Sequence, residues 1–247
     1  WRALEAEALE RHCVDRFKKS IIKGTVLDVG CGFGEFSNIY FDRVIDVGVD
    51  INQEDLHIAQ KTKKYKKLVC ADARKLPFKK NTFNTVFSLG VLEHIPKTNL
   101  AIKEAYRVLK PGGYLIFTVP TVHINKYLFG AIFLEKLGLS MLAERYIHAF
   151  HTMFKHSLVV EPAQWIRWVK AAKFKTIFHA GTTSNMQIKC FELFLITALP
   201  SQIGRMLFGI RLIWGLPLKV PLLEKLYRHM NNRFIPTTGN IIVIARK

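Results

Sequence analysis

Thr25-Val-Leu-Asp-Val-Gly-Cys-Gly-Phe-Gly34 is the stretch whose reading decides the fold. Val26, Leu27 and Val29 form an apolar run too short for a helix. Gly30, Gly32 and Gly34 then alternate ahead of a helix-like segment. The pattern reads as a buried strand that ends in a tight glycine turn. Glycine is needed where the backbone takes a positive φ or where a ligand lies against it. In an open α/β sheet, ligands bind at the carboxyl ends of the strands.

The spacing limits the ligand. A dinucleotide fingerprint runs G-x-G-x-x-G and sets a helix amino end against a pyrophosphate. Here the turn is G-x-G-x-G, and Asp28 stands two residues ahead of the first glycine. A carboxylate at that point accepts hydrogen bonds from an ammonium group, which a pyrophosphate lacks. A second apolar run, Val44-Ile-Asp-Val-Gly-Val-Asp50, closes on an acid twenty residues beyond Gly30, a distance that suits a ribose diol. The expected ligand carries a ribose and an amino-acid-like cation.

Further motifs follow in order: Ala71-Asp-Ala-Arg-Lys-Leu-Pro-Phe78, Phe83-Asn-Thr-Val-Phe-Ser-Leu-Gly-Val-Leu-Glu-His-Ile95 and Glu104-Ala-Tyr-Arg-Val-Leu-Lys-Pro-Gly-Gly113. With the glycine turn and Val47-Gly-Val-Asp50, the chain from about residue 24 to 120 resembles the class I S-adenosylmethionine-dependent methyltransferases, in the group with small-molecule and lipid-type substrates. Asn84 departs from the family's usual Asp; it opens a strand, and little functional consequence is expected. The resemblance implies S-adenosyl-L-methionine as cofactor, with Asp28, Gly30, Cys31, Gly32, Gly34, Asp50, Ile51, Asp72, Ala73 and Leu89 as its contacts. In that scheme Asp72 meets the adenine amino group, Ala73 adds a backbone contact, and the Leu89-Gly90 backbone approaches the methionine portion. The implied fold is α/β: a Rossmann-like, seven-stranded, mostly parallel sheet with helices on both faces and a last strand running antiparallel.

At 247 residues the chain has room for a full core and is read as a single domain, with the cofactor-binding core at 24–120. Lys and Arg number 37 against 19 Asp and Glu, a net charge of +18 that calls for an anionic partner: nucleic acid, an acidic substrate or anionic lipid. Cys13, Cys31, Cys70 and Cys190 are scattered with no paired spacing, so neither a zinc site nor a disulfide framework is indicated. Nothing at the amino end reads as a signal peptide, and the expected location is the cytoplasm, with peripheral contact to a membrane.

Around the core, Ala6, Leu9, Cys13 and Phe17 recur at helical spacing and predict an amphipathic helix within residues 1–20. Asn52 is the expected N-cap of the helix after the second strand, which ends in Lys61-Thr-Lys-Lys-Tyr-Lys-Lys67, read as a solvated loop. Strands are predicted at 68–71, 85–89, 114–119, 175–180 and 240–245. Glu161 and Pro162 open a helix whose apolar face is Trp165, Trp168, Val169 and Ala172. Two insertions remain, 121–159 and 183–238. Both leave the sheet at its carboxyl edge, beside the cofactor.

Methyl transfer from a sulfonium is an in-line displacement, so the protein mainly aligns the reactants. His94, just past the fourth strand, is the candidate base; its alternative role is hydrogen bonding to the loop backbone. Tyr146, His148, His151 and His156 in the first insertion are candidates for shaping the acceptor pocket. Glu144, His148 and His151 share a helical face, which raises metal binding, but no fourth ligand is evident and a polar wall is preferred. In the second insertion, residues 201–235 mix Arg205, Arg211, Lys219, Lys225, Arg228 and Arg233 with Leu, Ile, Phe and Trp against the single acid Glu224. That composition fits contact with an anionic membrane surface; a lid or a homo-oligomer interface is the other reading.

The favoured function is methyl transfer to a small hydrophobic or lipid-linked acceptor. The charge also raises an RNA methyltransferase, but no nucleic-acid module and no nucleotide-methylating tetrapeptide follows the fourth strand. A cofactor-binding regulatory or scaffold protein without transfer activity is the alternative from another class.

Overall fold

The computed structural model describes Leu9, His12, Cys13, residues 21–193, Leu195 and residues 236–247. Seven strands form one sheet: β1 (Val26–Val29), β2 (Ile45–Asp50), β3 (Tyr65–Cys70), β4 (Phe83–Leu89), β5 (Leu109–Pro120), β6 (Lys175–Ser184) and β7 (Pro236–Arg246). Their order is β3-β2-β1-β4-β5-β7-β6; β7 alone runs antiparallel to its neighbours. This is the Rossmann-like arrangement expected from the sequence, with the chain crossing from β3 over to β4 on the other side of β1.

Among the described residues the α-helices are α1 (Glu35–Tyr40), α2 (Gln53–Lys61), α3 (Thr98–Val108), α4 (Phe129–Lys136), α5 (Ser140–Met153) and α6 (Pro162–Ala171). A seventh, α7, covers residues 185–193. Alternation along the central strands assigns their sides. Leu115, Phe117 and Val119 of β5 join Ile241, Val243 and Ala245 of β7 in one core with Ala101, Ile102 and Ala105 of α3 and Trp165 and Val169 of α6. Ile116, Ile242 and Ile244 point the other way, into a core with Phe36 of α1 and with Leu9 and Cys13. Burying a side chain of this size contributes roughly 1.5–3 kcal/mol, so both faces must be covered for the sheet to persist. Leu9 and Cys13 are fully buried, as the amphipathic reading requires; Ala6 and Phe17 lie outside the described residues.

Several boundaries differ from the sequence reading. Tyr65, Lys66 and Lys67 are not loop but the first half of β3, because an edge strand tolerates exposed lysines. Lys66 Nζ there meets Asp46 Oδ1 at 2.8 Å. Thr183, Ser184 and residues 236–238, read as insertion, extend the β6–β7 ladder. Asn84 ties the starts of β1, β4 and β5 together, since its Oδ1 accepts from Thr25 N at 3.1 Å, Thr25 Oγ1 at 2.7 Å and Lys110 Nζ at 3.2 Å. Residues 201–235, on which the membrane reading rests, lie outside the described residues.

Candidate active site

Two cavities meet at the carboxyl edge of the sheet. The first, of about 430 Å³, is lined by Gly30, Gly32 and Phe33 after β1, Asp50, Ile51 and Asp55 after β2, Asp72, Ala73 and Arg74 after β3, and Gly90, Val91 and His94 after β4. Its volume lies in the range of small-molecule sites. Gly30, Gly32 and Gly34 all take positive φ, at 78°, 52° and 77°. A Cβ on Gly30 would stand 2.3 Å from Val91 Cγ1, whereas one on Gly32 would meet nothing within 4 Å. Gly30 is therefore required by the fold, and Gly32 leaves bare backbone facing open space.

The acids are held in different ways. Asp50 accepts Gly32 N on Oδ2 at 2.8 Å and Asn52 N on Oδ1 at 2.9 Å, so it joins the two turns and still lines the cavity. Asn52 caps α2 as expected, accepting Glu54 N at 2.9 Å. Asp72 is clamped by Arg74, whose Nε reaches both carboxylate oxygens at 3.0 Å and whose Nη2 lies 2.6 Å from Oδ2. Hydrogen bonding from the Arg74 guanidinium, then from its backbone N–H, holds the Asp72 carboxyl below the usual aspartate range. The sequence pattern does not single out Arg74, although it sits two residues from Asp72 in a quoted motif.

Asp28 departs from the expectation of direct ligand contact. It is buried, and its Oδ2 accepts Ser37 Oγ at 2.8 Å and Tyr65 Oη at 2.7 Å. Burial and the Asp28 charge push the Tyr65 phenol far up, so it stays a neutral donor. The carboxylate thus fastens the glycine turn to α1 and β3 and is not among the residues lining the cavity. Cys31 is likewise behind the turn: its N–H donates to Val49 O at 3.0 Å, and burial raises its thiol, leaving no thiolate nucleophile. Gly34 lies against Tyr65 and Ala59 at the start of α1, and Leu89 is buried one residue short of the lining Gly90.

The second cavity, of about 290 Å³, is lined by Gly90, Glu93, His94, Pro120 and Ile124, then by Phe150, Phe154, His156, Phe191 and Leu195. Gly90 and His94 line both cavities. His94 Nδ1 lies 2.9 Å from the Lys155 carbonyl, which can only accept, so Nδ1 carries the proton. His156 is the insertion histidine that reaches this wall. His151 stands behind it, and His148 is exposed on α5. Tyr146 does not line the pocket: its hydroxyl donates to Glu192 Oε1, as does Gly130 N at 2.8 Å, while Phe129 N donates to Oε2. Glu192, absent from the sequence reading, thereby caps α4 from α7. Among the described residues no three His, Cys, Asp or Glu side chains are grouped to hold a metal ion.

The family model described as a methyltransferase domain matches residues 27–117. A ubiquinone biosynthesis O-methyltransferase of Pseudomonas entomophila is 30% identical over 177 residues, covering 68% of this chain and 72% of that protein. An uncharacterized protein of Methanocaldococcus jannaschii is 40% identical over 94 residues; the match spans 38% of this chain and only 40% of that protein. Among solved structures, phosphoethanolamine N-methyltransferase 2 of Haemonchus contortus, in complex with phosphomonomethylethanolamine and S-adenosylhomocysteine, aligns with a TM-score of 0.58 at 18% identity. That alignment covers 100% of this chain and 53% of that one, and it speaks to the fold alone. The chain belongs to the S-adenosylmethionine-dependent methyltransferases.

Proposed function

We propose that this chain transfers the methyl group of S-adenosylmethionine to a small hydrophobic or lipid-linked acceptor at a membrane surface. The meeting of the two cavities at Gly90 and His94 carries the reading. A compartment edged by bare glycine backbone and acids opens there beside an aromatic one. The bound cofactor supplies an electrophilic methyl carbon on a sulfonium. Each Asp50 oxygen has one backbone N–H and keeps a second lone pair for a ribose hydroxyl. Asp72 is the acid for an adenine amino group, and because Arg74 N, Nε and Nη2 already supply two donors to each of its oxygens, part of that clamp gives way when the adenine binds. Asp28 acts through the turn that it holds.

His94 is the candidate base. With Nδ1 donating to the Lys155 carbonyl, its Nε2 has the lone pair that takes a proton from the acceptor. Positioning carries most of the expected acceleration, since good alignment is worth about 7–11 kcal/mol and a base adds roughly 10²–10⁴-fold.

The membrane element draws on charge and on exposed apolar side chains. Phe129, Phe133, Leu137, Leu139, Met141 and Leu142 are exposed along α4, the turn after it and the start of α5, within the insertion whose Phe150, Phe154 and His156 wall the second cavity. A net charge of +18 favours an anionic leaflet. Among the described residues no helix is long and apolar enough to cross a membrane.

The decisive experiment incubates the protein with methyl-labelled cofactor and a lipid extract and reads the products by mass spectrometry. A labelled lipid-soluble product is expected; cofactor binding with no labelled product in any fraction would favour the regulatory reading. Flotation on anionic vesicles, lost at high salt, is the expected outcome for the membrane element, and protein that stays with the soluble fraction overturns it.

A further inference from the structure

The polar side chains lining the aromatic cavity are Glu93, His94 and His156. The protonation of His156 follows from a chain of contacts behind it. His151 Nε2 lies 2.8 Å from Asn125 Oδ1, an amide oxygen that only accepts, so the His151 proton sits on Nε2. A neutral His151 then has a lone pair on Nδ1. His156 Nδ1 stands 3.0 Å from that atom and must donate to it. The proton of neutral His156 is therefore on Nδ1, and Nε2 is left as a bare acceptor. Burial, followed by the charges of His151 and His94, pulls the His156 pKa down to about 4, so the ring is neutral at physiological pH.

His94 is fixed in the same tautomer by the Lys155 carbonyl, and the two rings lie 5.6 Å apart, centroid to centroid. The cavity thus presents the His156 acceptor and, beside it, His94 Nε2, which lies 3.9 Å from Glu93 Oε1, within a frame of rings. Phe154 stacks beside His156 at 5.8 Å, and Phe150 and Phe191 flank Phe154 at 4.8 and 5.5 Å. Such a wall suits a flat ring that donates hydrogen bonds from its edge.

We infer that the acceptor of this methyltransferase is an aromatic hydroxyl compound, and that His156, held in its Nδ1–H tautomer by His151 and Asn125, is the specificity residue that receives the hydroxyl hydrogen bond at Nε2. The inference rests on the methyltransferase reading above and narrows its substrate class. With a pKa this low, His156 orients the hydroxyl and does not carry its proton away. The competing ligand is an alkylammonium ion, which would be drawn to the Glu93 carboxylate on the same wall. Asn125 and His151 are positioning residues: neither lines the cavity, and they act by setting which nitrogen of His156 is bare.

The test is equilibrium binding, measured by calorimetry on the full chain in the presence of S-adenosylhomocysteine. The probes are 4-methylcatechol, its dimethyl ether and 4-methylbenzylamine. The catechol should bind at least about tenfold more tightly than the ether, the worth of one hydrogen bond. His156→Phe should erase that preference. Asn125→Leu should reduce it several-fold by freeing the tautomer. In nitrogen NMR of the wild type, His156 Nε2 should resonate as an unprotonated nitrogen. Unchanged S-adenosylhomocysteine affinity in each variant shows that the fold and the cofactor site persist. If S-adenosylhomocysteine fails to bind the wild type, the methyltransferase reading itself falls. If it binds but the ether matches the catechol, the amine binds best, or His156 Nε2 carries the proton, the inference is overturned.

Discussion

Asp50 Oδ2 accepts the backbone N–H of Gly32 at 2.8 Å, so the acid at the end of the second strand is fastened to the glycine turn of the first. The residue that suits a ribose also shapes the loop beside it. Asp50→Ala removes the acceptor of two backbone N–H groups. A loss of about 1–3 kcal/mol in stability is expected, together with at least tenfold weaker S-adenosylhomocysteine binding. Calorimetry and thermal melting on one preparation separate the two effects. Unchanged affinity in a destabilised variant would remove Asp50 from the cofactor site.

Gly30 has φ at 78°, and its missing Cβ would collide with Val91. Gly30→Ala should cost roughly 1–2 kcal/mol for the left-handed backbone and a further 1–3 kcal/mol for the clash. Adding Val91→Ala removes the collision but not the strain. The double variant is therefore expected to regain about half the lost stability in chemical denaturation, and full recovery would mean that the φ constraint costs nothing.

Glu104 and Arg107 support the loop that carries Asp72 and Ala73. Glu104 Oε2 accepts Leu76 N at 2.8 Å, and Arg107 donates to the carbonyls of Leu76 and Phe78 at 2.9 and 2.7 Å. Hydrogen bonding from Arg107 is the largest cause that lowers the Glu104 pKa below its ordinary 4.5. A depressed carboxyl stabilises the fold above its unfolded pKa, and that stability is lost as pH falls through the folded value. Glu104→Gln should therefore be less stable than wild type at pH 7, by no more than about 1 kcal/mol for this partly exposed pair. The two should converge as pH falls below 4.5 and through the lower folded value of the Glu104 carboxyl. A gap that stays constant as the Glu104 carboxyl is protonated, followed by NMR titration of that side chain, would assign the effect to packing and not to charge.

Tyr146 and Glu192 join α5 to α7 and cap α4. Tyr146→Phe should lower stability by about 1 kcal/mol and leave S-adenosylhomocysteine affinity alone. Glu192→Ala strips the acceptor from three donors and should cost more, and it should also weaken acceptor binding, because the adjacent Phe191 lines that cavity. Equal acceptor affinity in the Glu192 variant would detach the cap from the pocket.

His94→Ala should lower turnover by at least about tenfold while S-adenosylhomocysteine binding stays near normal. Parallel loss of both would assign His94 to holding the loop through Lys155.

The first cavity is largely legible in the sequence because its residues lie within a few positions of strand ends, where local pattern fixes register. Strand periodicity and motif spacing place Asp50, Ile51, Asp72 and Ala73, and all four line the cavity. The aromatic cavity is not legible in this way. Glu192 meets Gly130 across 62 residues of chain, and nothing in the sequence around either announces the contact. His148, His151 and His156 look equivalent because helical spacing cannot say which one turns inward; His156 lies past the end of α5, where the chain folds back toward Glu93. Asp28 escapes sequence reading for a related reason, since Tyr65, which claims it, sits in a lysine-rich run that reads as loop and not as strand.

The place of β7 between β5 and β6 also sets an order of assembly. β6 has no partner in the sheet until residues 236–246 are present, and β5 shows an open edge beside Ile116 and Phe117 for the same interval. During synthesis the amino-terminal half, with β1 to β5 and the residues lining the first cavity, can pair while residues 185–235 are still being made. An unpaired central strand is a template for association with other chains. The sheet is thus most open to association with other chains in the interval just before residues 236–246 emerge.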